Sequence, residues 1–186
     1  MRLARAREKF AASLAGLPRP RLAVLIGGST KRHRMTGEVT TRLGNQVASL
    51  ARSHGAGLMV TPSRRTSEQN TAILRSIFAG MPMAFWDGAG ENPYFGYLAW
   101  ADAIIVTNDS VSMVSEAGAT GKPVHVAHLE PESPKFQRFH QGMVAAGITR
   151  PMGGDLPHWR YEPLYEADNV AAEIRRRMDL NRRDIT

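Results

Sequence analysis

No cysteine occurs among the 186 residues. Disulfides, thiolate metal sites and a cysteine nucleophile are thereby excluded together, and the composition fits a reducing compartment. Long apolar runs are missing as well. None approaches the roughly 18 residues of a membrane-spanning helix, so the expectation is a cytoplasmic protein, with peripheral contact at a membrane surface as the alternative. No third glycine follows Gly27-Gly28 at the spacing of a dinucleotide fingerprint, and Lys31 lacks the upstream glycines of a Walker loop. None of Tyr94, Tyr97, Tyr161 and Tyr165 has a lysine four residues on, which removes the acid–base pair of short-chain reductases and epimerases. His125 and His128 match no helical ligand spacing, and no carboxylate is placed to orient them. No metal and no bound cofactor are therefore expected.

What is present is a basic, turn-rich chain with 17 glycines, 11 prolines and a formal charge of +7. Part of that charge lies at the ends, in Arg2, Arg5, Arg7 and Lys9 and again in Arg175, Arg176, Arg177, Arg182 and Arg183. Solvated helix faces account for such runs. Aromatic residues are not interleaved with them, so nucleic acid is not an expected partner. A positive field does favour a phosphate-bearing small ligand. The arginine-rich opening weakly resembles a transit peptide. The helical spacing of Leu3, Ala6, Phe10, Leu14 and Leu17 instead predicts a packed or interdomain helix ending at Gly16.

Beyond Pro18-Arg19-Pro20, short apolar runs alternate with helical patterns. Leu22–Ile26, Leu58–Thr61, Met83–Trp86, Ala103–Thr107 and Pro123–Ala127 predict five strands, the first of them buried on both faces. Helices are predicted over Val39, Leu43, Val47 and Leu50, then from the cap Ser67 over Ala72, Ile73, Ile77 and Phe78. Others run from Tyr94 to Ala101, from Val111 to a stop at Gly121, and from Ser133-Pro134 through Phe136, Phe139, Met143 and Val144. Residues 149–166 read as irregular, and Asp168 as the cap of a last helix over Val170, Ile174 and Met178. The pattern predicts an α/β fold, a doubly wound parallel sheet of Rossmann-like type. Residues 1–20 form an N-terminal helix and connection, and residues 21–186 the Rossmann-like domain.

In such sheets ligands bind beyond the carboxyl ends of the strands. Strand one ends in Gly27-Gly28-Ser29, whose glycines allow close backbone approach and whose free amides could donate to phosphate. Strand two ends in Ser63-Arg64-Arg65-Thr66, two guanidiniums just before a helix start. Strand four carries the strongest signal, Asn108-Asp109-Ser110-Val111-Ser112, running on to Ser115 and Glu116. A helix needs one cap there, so Ser112, Ser115 and Glu116 are surplus to folding, and Glu116 is placed to accept from ribose hydroxyls. Asn92, in Glu91-Asn92-Pro93-Tyr94, walls a base or sugar pocket or makes a turn.

Thr107 to Ala117 followed by Thr120-Gly121-Lys122-Pro123-Val124, with Ser63-Arg64-Arg65-Thr66, Asn92-Pro93-Tyr94 and Val24–Gly28, resembles the mitochondrial fission ELM (elongated mitochondria) family. The strand-four region also resembles the donor-binding domain of two-Rossmann-domain (GT-B) glycosyltransferases. That resemblance implies a nucleotide-diphosphate sugar as ligand, with Ser110 and Ser112 at the diphosphate and Glu116 at the ribose. It also implies a longer protein with another Rossmann-like domain first. The expected partners are then that N-terminal domain or a second copy of this chain. The acceptor site and any catalytic base would lie largely on the other half, so no catalytic residue is assigned. The alternative is a non-catalytic adaptor of the same fold, acting at membranes or with protein partners.

Overall fold

A computed structural model of the chain describes residues 2–30, 34–129 and 134–164. The expected helix from Asp168, the basic cluster from Arg175 to Arg183, Tyr165, Lys31, and Ser133 as a cap lie outside the described residues. The described elements are α1 (Arg2–Lys9), α2 (Ala11–Leu14), β1 (Arg21–Ile26), α3 (Gly37–Ser53), β2 (Gly57–Pro62), α4 (Glu68–Ile77), β3 (Met83–Phe85), α5 (Tyr94–Trp100), β4 (Ala103–Thr107), α6 (Val111–Gly118), β5 (Val124–Ala127), α7 (Pro134–Ala145) and β6 (Thr149–Pro151). The strands form one sheet in the order β3-β2-β1-β4-β5-β6, every pairing parallel. Strand order reverses between β1 and β4, which makes that pair the switch point of a doubly wound fold.

The period of two along β1 explains its central place. Leu22, Val24 and Ile26 enter one apolar cluster with Leu43 and Val47 of α3 and Leu74 and Phe78 of the α4 region. Ala23 and Leu25 enter the opposite cluster with Leu98 of α5, Val114 of α6 and Met143 of α7. Each fully buried Leu, Val or Ile contributes about 1.5–3 kcal/mol, so the register of this strand is strongly fixed. The predicted cap Ser67 is present, its Oγ accepting from Asn70 N; at the helix after β4, where the cap was not specified, it is Ser110 Oγ that accepts from Met113 N.

Four expectations are corrected. The N-terminal helix is two pieces, broken at Phe10, and it packs on α5, with Trp100 Nε1 donating to Arg7 O. The inner face of α4 runs through Asn70, Leu74 and Phe78, leaving Ala72 exposed. Asn70 can face inward because its Nδ2 donates to Met35 O at 2.6 Å. In α7, His140 and Met143 turn inward while Val144 is left 47% exposed. The stretch read as irregular contains β6, a three-residue edge strand whose closing Pro151 costs no ladder bond there. Its tail then wraps the sheet, with Met152 and Leu156 on the first cluster and Tyr161 and Leu164 on the second. Among the described residues no helix is long and apolar enough to cross a membrane.

Candidate functional site

The carboxyl edge at the β1–β4 switch point is a closed hydrogen-bonded knot. Thr107 is the last residue of β4, and Asp109 lies two further on, in the turn that follows the strand. Gly27 N donates to Thr107 Oγ1 at 2.8 Å, and that hydroxyl donates onward to Asp109 Oδ1 at 2.6 Å. Gly28 N donates to Asp109 Oδ2 at 3.0 Å, and Arg65 Nη2 pairs with the same oxygen at 2.9 Å. Thr66 Oγ1 closes the ring by donating to Gly27 O.

The expectation of free glycine amides is therefore corrected: both are committed inside the protein. The two glycines are required by packing. A Cβ on Gly27 would lie 2.0 Å from the Asp109 carboxylate, and one on Gly28 would lie 2.1 Å from Arg65 O. Asp109, though buried, is served by a guanidinium, a hydroxyl and an amide, so its charge is compensated in place. Asn108 is likewise internal. Its Oδ1 accepts from Leu129 N at 2.8 Å and its Nδ2 donates to Leu129 O at 3.3 Å, tying the end of β4 to the segment after β5. His140 Nε2 donates to Asn108 O at 2.9 Å.

What remains open at this edge is the first turn of α6 and its exposed face. Ser110 caps Met113 N, whereas the amides of Val111 and Ser112 precede any carbonyl the helix can offer. Ser112 and Glu116 are both exposed and four residues apart, hence on one face. Glu116 Oε2 accepts from Tyr94 OH at 2.6 Å. Burial, and then this bond to a carboxylate, push the Tyr94 phenol well above its ordinary pKa, so it stays a donor. Asn92 caps the amide of Tyr94 through Oδ1 at 2.9 Å, which brings Asn92 and Glu116 into one constellation through Tyr94.

The other predicted residues are more dispersed. Ser29 Oγ accepts from Met35 N at 3.1 Å. Arg64 is exposed and lines a groove of about 490 Å³ beyond β2 and β3, with Arg75, Trp86 and Asp87. Of the histidines, His125 is core: it packs edge-on to Trp159 at 5.1 Å, and burial, then Arg150, lower its pKa to about 4. Sequence reasoning missed the Thr107–Asp109 relay, the Arg65–Asp109 pair and His140. The Thr-x-Asp spacing at a strand end was a readable signal for the first; nothing local announced the other two.

Comparisons with known proteins fit this picture. A family model described as Mitochondrial fission ELM1 matches residues 1–178. Mitochondrial fission protein ELM1 of Arabidopsis thaliana is 32% identical over 168 residues, covering 88% of this chain and 39% of the relative. The uncharacterized protein RP120 of Rickettsia prowazekii (strain Madrid E) is 29% identical over 167 residues, 86% of this chain and 47% of that one. The chain thus spans less than half the length of either relative. Two solved structures share its fold. One is a candidate UDP-N-acetylglucosamine 2-epimerase from Listeria monocytogenes, with TM-score 0.55 and 17% identity over 78% of this chain and 35% of that chain. The other is UDP-GlcNAc 2-epimerase from Neisseria meningitidis bound to UDP-GlcNAc, with TM-score 0.51 and 16% identity over 82% of this chain and 40% of that chain.

Proposed function

The chain belongs to the mitochondrial fission ELM1 family, and from that premise we propose that it is the nucleotide-diphosphate-sugar-binding half of a GT-B-like glycosyltransferase. The observation that carries this reading is the exposed face of α6, which starts at the switch point and presents Ser112 and Glu116 about 6 Å apart along the helix axis. A diphosphate resting on the Val111 and Ser112 amides would gain the positive end of the helix and the Ser112 hydroxyl. Asp109, compensated by Arg65, does not repel it. One turn along, the Glu116 carboxylate is an acceptor for ribose hydroxyls, and Tyr94 holds it in place. That a protein of like fold is bound to UDP-GlcNAc supports this class of ligand.

Transfer itself is assigned to the assembled protein. The acceptor site and the catalytic base belong, in this reading, to a second Rossmann-like domain, consistent with the 39% of the plant relative that this chain spans. One observation favours the adaptor reading instead: the Gly27 and Gly28 amides are satisfied without any ligand.

Calorimetry with UDP-, GDP-, ADP- and CMP-sugars separates the two. Binding of at least one at about millimolar affinity or better, roughly −4 kcal/mol, is expected. No heat from any of them at such concentrations leaves the adaptor.

A further inference from the structure

We propose that the cleft at the amino edge of the sheet, among the starts of β1, β4 and β5, is a second anion site that takes a phosphate-bearing ligand. The cleft holds about 440 Å³. Among the described residues, Arg7, Arg19, Arg21, Lys122 and Arg160 line it with one carboxylate, Asp102. That carboxylate is spoken for: it pairs with the Arg19 guanidinium and accepts from Arg21 N at 2.8 Å.

Two of the cations have structural tasks. Arg21 donates to Leu17 O and Ala15 O at 3.1 and 2.8 Å, and Lys122 Nζ to Leu98 O and Ala99 O at 2.6 and 2.8 Å, serving carbonyls at helix ends. Among the described residues Arg7 and Arg160 have no such task; both are exposed. Arg7 is nevertheless held in place, its Cζ 5.0 Å from the Trp100 ring centre, with the Arg21 Cζ 4.9 Å from the same ring. Arg21 spends N–H groups on carbonyls, whereas the Arg7 guanidinium, held against the ring, keeps its planar N–H fork for ligand oxygens, the geometry that phosphate recognition uses. The surplus of positive charge is felt by Lys122, whose pKa falls to about 8 through burial and then through repulsion from Arg7, with Arg19 adding to it against Asp102. An anion in the cleft would relieve that repulsion. The site does not depend on the nucleotide-sugar reading, which concerns the opposite edge.

The phosphate could come from a soluble compound or from a lipid headgroup. Calorimetry with inorganic pyrophosphate on the full chain tests the first source. Flotation with phosphatidylcholine vesicles, with and without phosphatidic acid, tests the second. The double variant Arg7→Glu/Arg160→Glu is expected to weaken pyrophosphate binding by about tenfold or more, since two charge-assisted contacts are reversed. Arg64→Glu at the other edge should leave that component intact. Circular dichroism verifies folding, and Arg7→Gln/Arg160→Gln provides a neutral version with a smaller loss. Flotation that needs phosphatidic acid and disappears in the double variant assigns the site to a headgroup; pyrophosphate binding without flotation assigns it to a soluble phosphate. Pyrophosphate affinity unchanged in the double variant, or no binding to either probe, overturns the proposal.

Discussion

At the carboxyl edge of the sheet Asp109 is 8% exposed among a guanidinium, a hydroxyl and a glycine amide, whereas at the amino edge, among the described residues, five basic side chains line a cleft with the one carboxylate of Asp102. The first arrangement is closed: its donors and acceptors are matched, so a ligand must use what lies outside the knot, the first turn and outer face of α6. The second arrangement is open, with more positive charge than its own residues neutralise. A conspicuous motif and an available site are therefore different things. Asn108, Gly27 and Gly28 hold the edge together, while Ser112 and Glu116 are the residues left facing solvent.

The sharpest way to break the comparison is Gly28→Ala. The added Cβ would meet backbone at Arg65 O and Thr66 N, at 2.1 and 2.6 Å, and neither atom can move without shifting the loop. A loss of about 3 kcal/mol in urea unfolding is expected. Asp109→Ala comes next. It strips the acceptor from the Gly28 amide and the Thr107 hydroxyl, and about 2 kcal/mol of lost stability should follow. By contrast Ser112→Ala, on the exposed face, should change stability by less than about 0.5 kcal/mol. The same variant should cost about tenfold in nucleotide-sugar affinity.

A pH-dependent effect concerns the amino edge. The Lys122 pKa of about 8 lies below its ordinary 10.5, so between those values the unfolded chain binds the extra proton and stability rises with pH. Below about pH 8 the lysine is charged in both states and its burial cost is present in full. Urea midpoints measured across that window should rise less in Lys122→Met than in the wild type.

Much of the fold was legible because its signals are local. The Ala103–Thr107 strand, the Ser67 cap and the two-faced burial of β1 follow from runs and periods within a few residues. β6 escaped because three residues ending in proline carry no period, and its pairing with Val124–Val126 is non-local. The inner place of Asn70 was hidden because its partner, Met35 O, lies 35 residues away. Within the candidate site the helix start after β4 was legible from the sequence. The sequence did not reveal which residues there are consumed, since Asn108 is spent on Leu129, 21 residues on, and the glycine amides on Thr107 and Asp109. Side-chain commitments of that kind depend on which strands become neighbours.

The central claim is that α6, and not the glycine loop, receives the diphosphate. An amide-resolved NMR titration with the nucleotide sugar that calorimetry selects reads this directly. The Val111 and Ser112 amides should shift with ligand while Gly27 and Gly28, bonded to Thr107 and Asp109, stay in place. Shifts centred on Gly27 and Gly28 with α6 unmoved would contradict it.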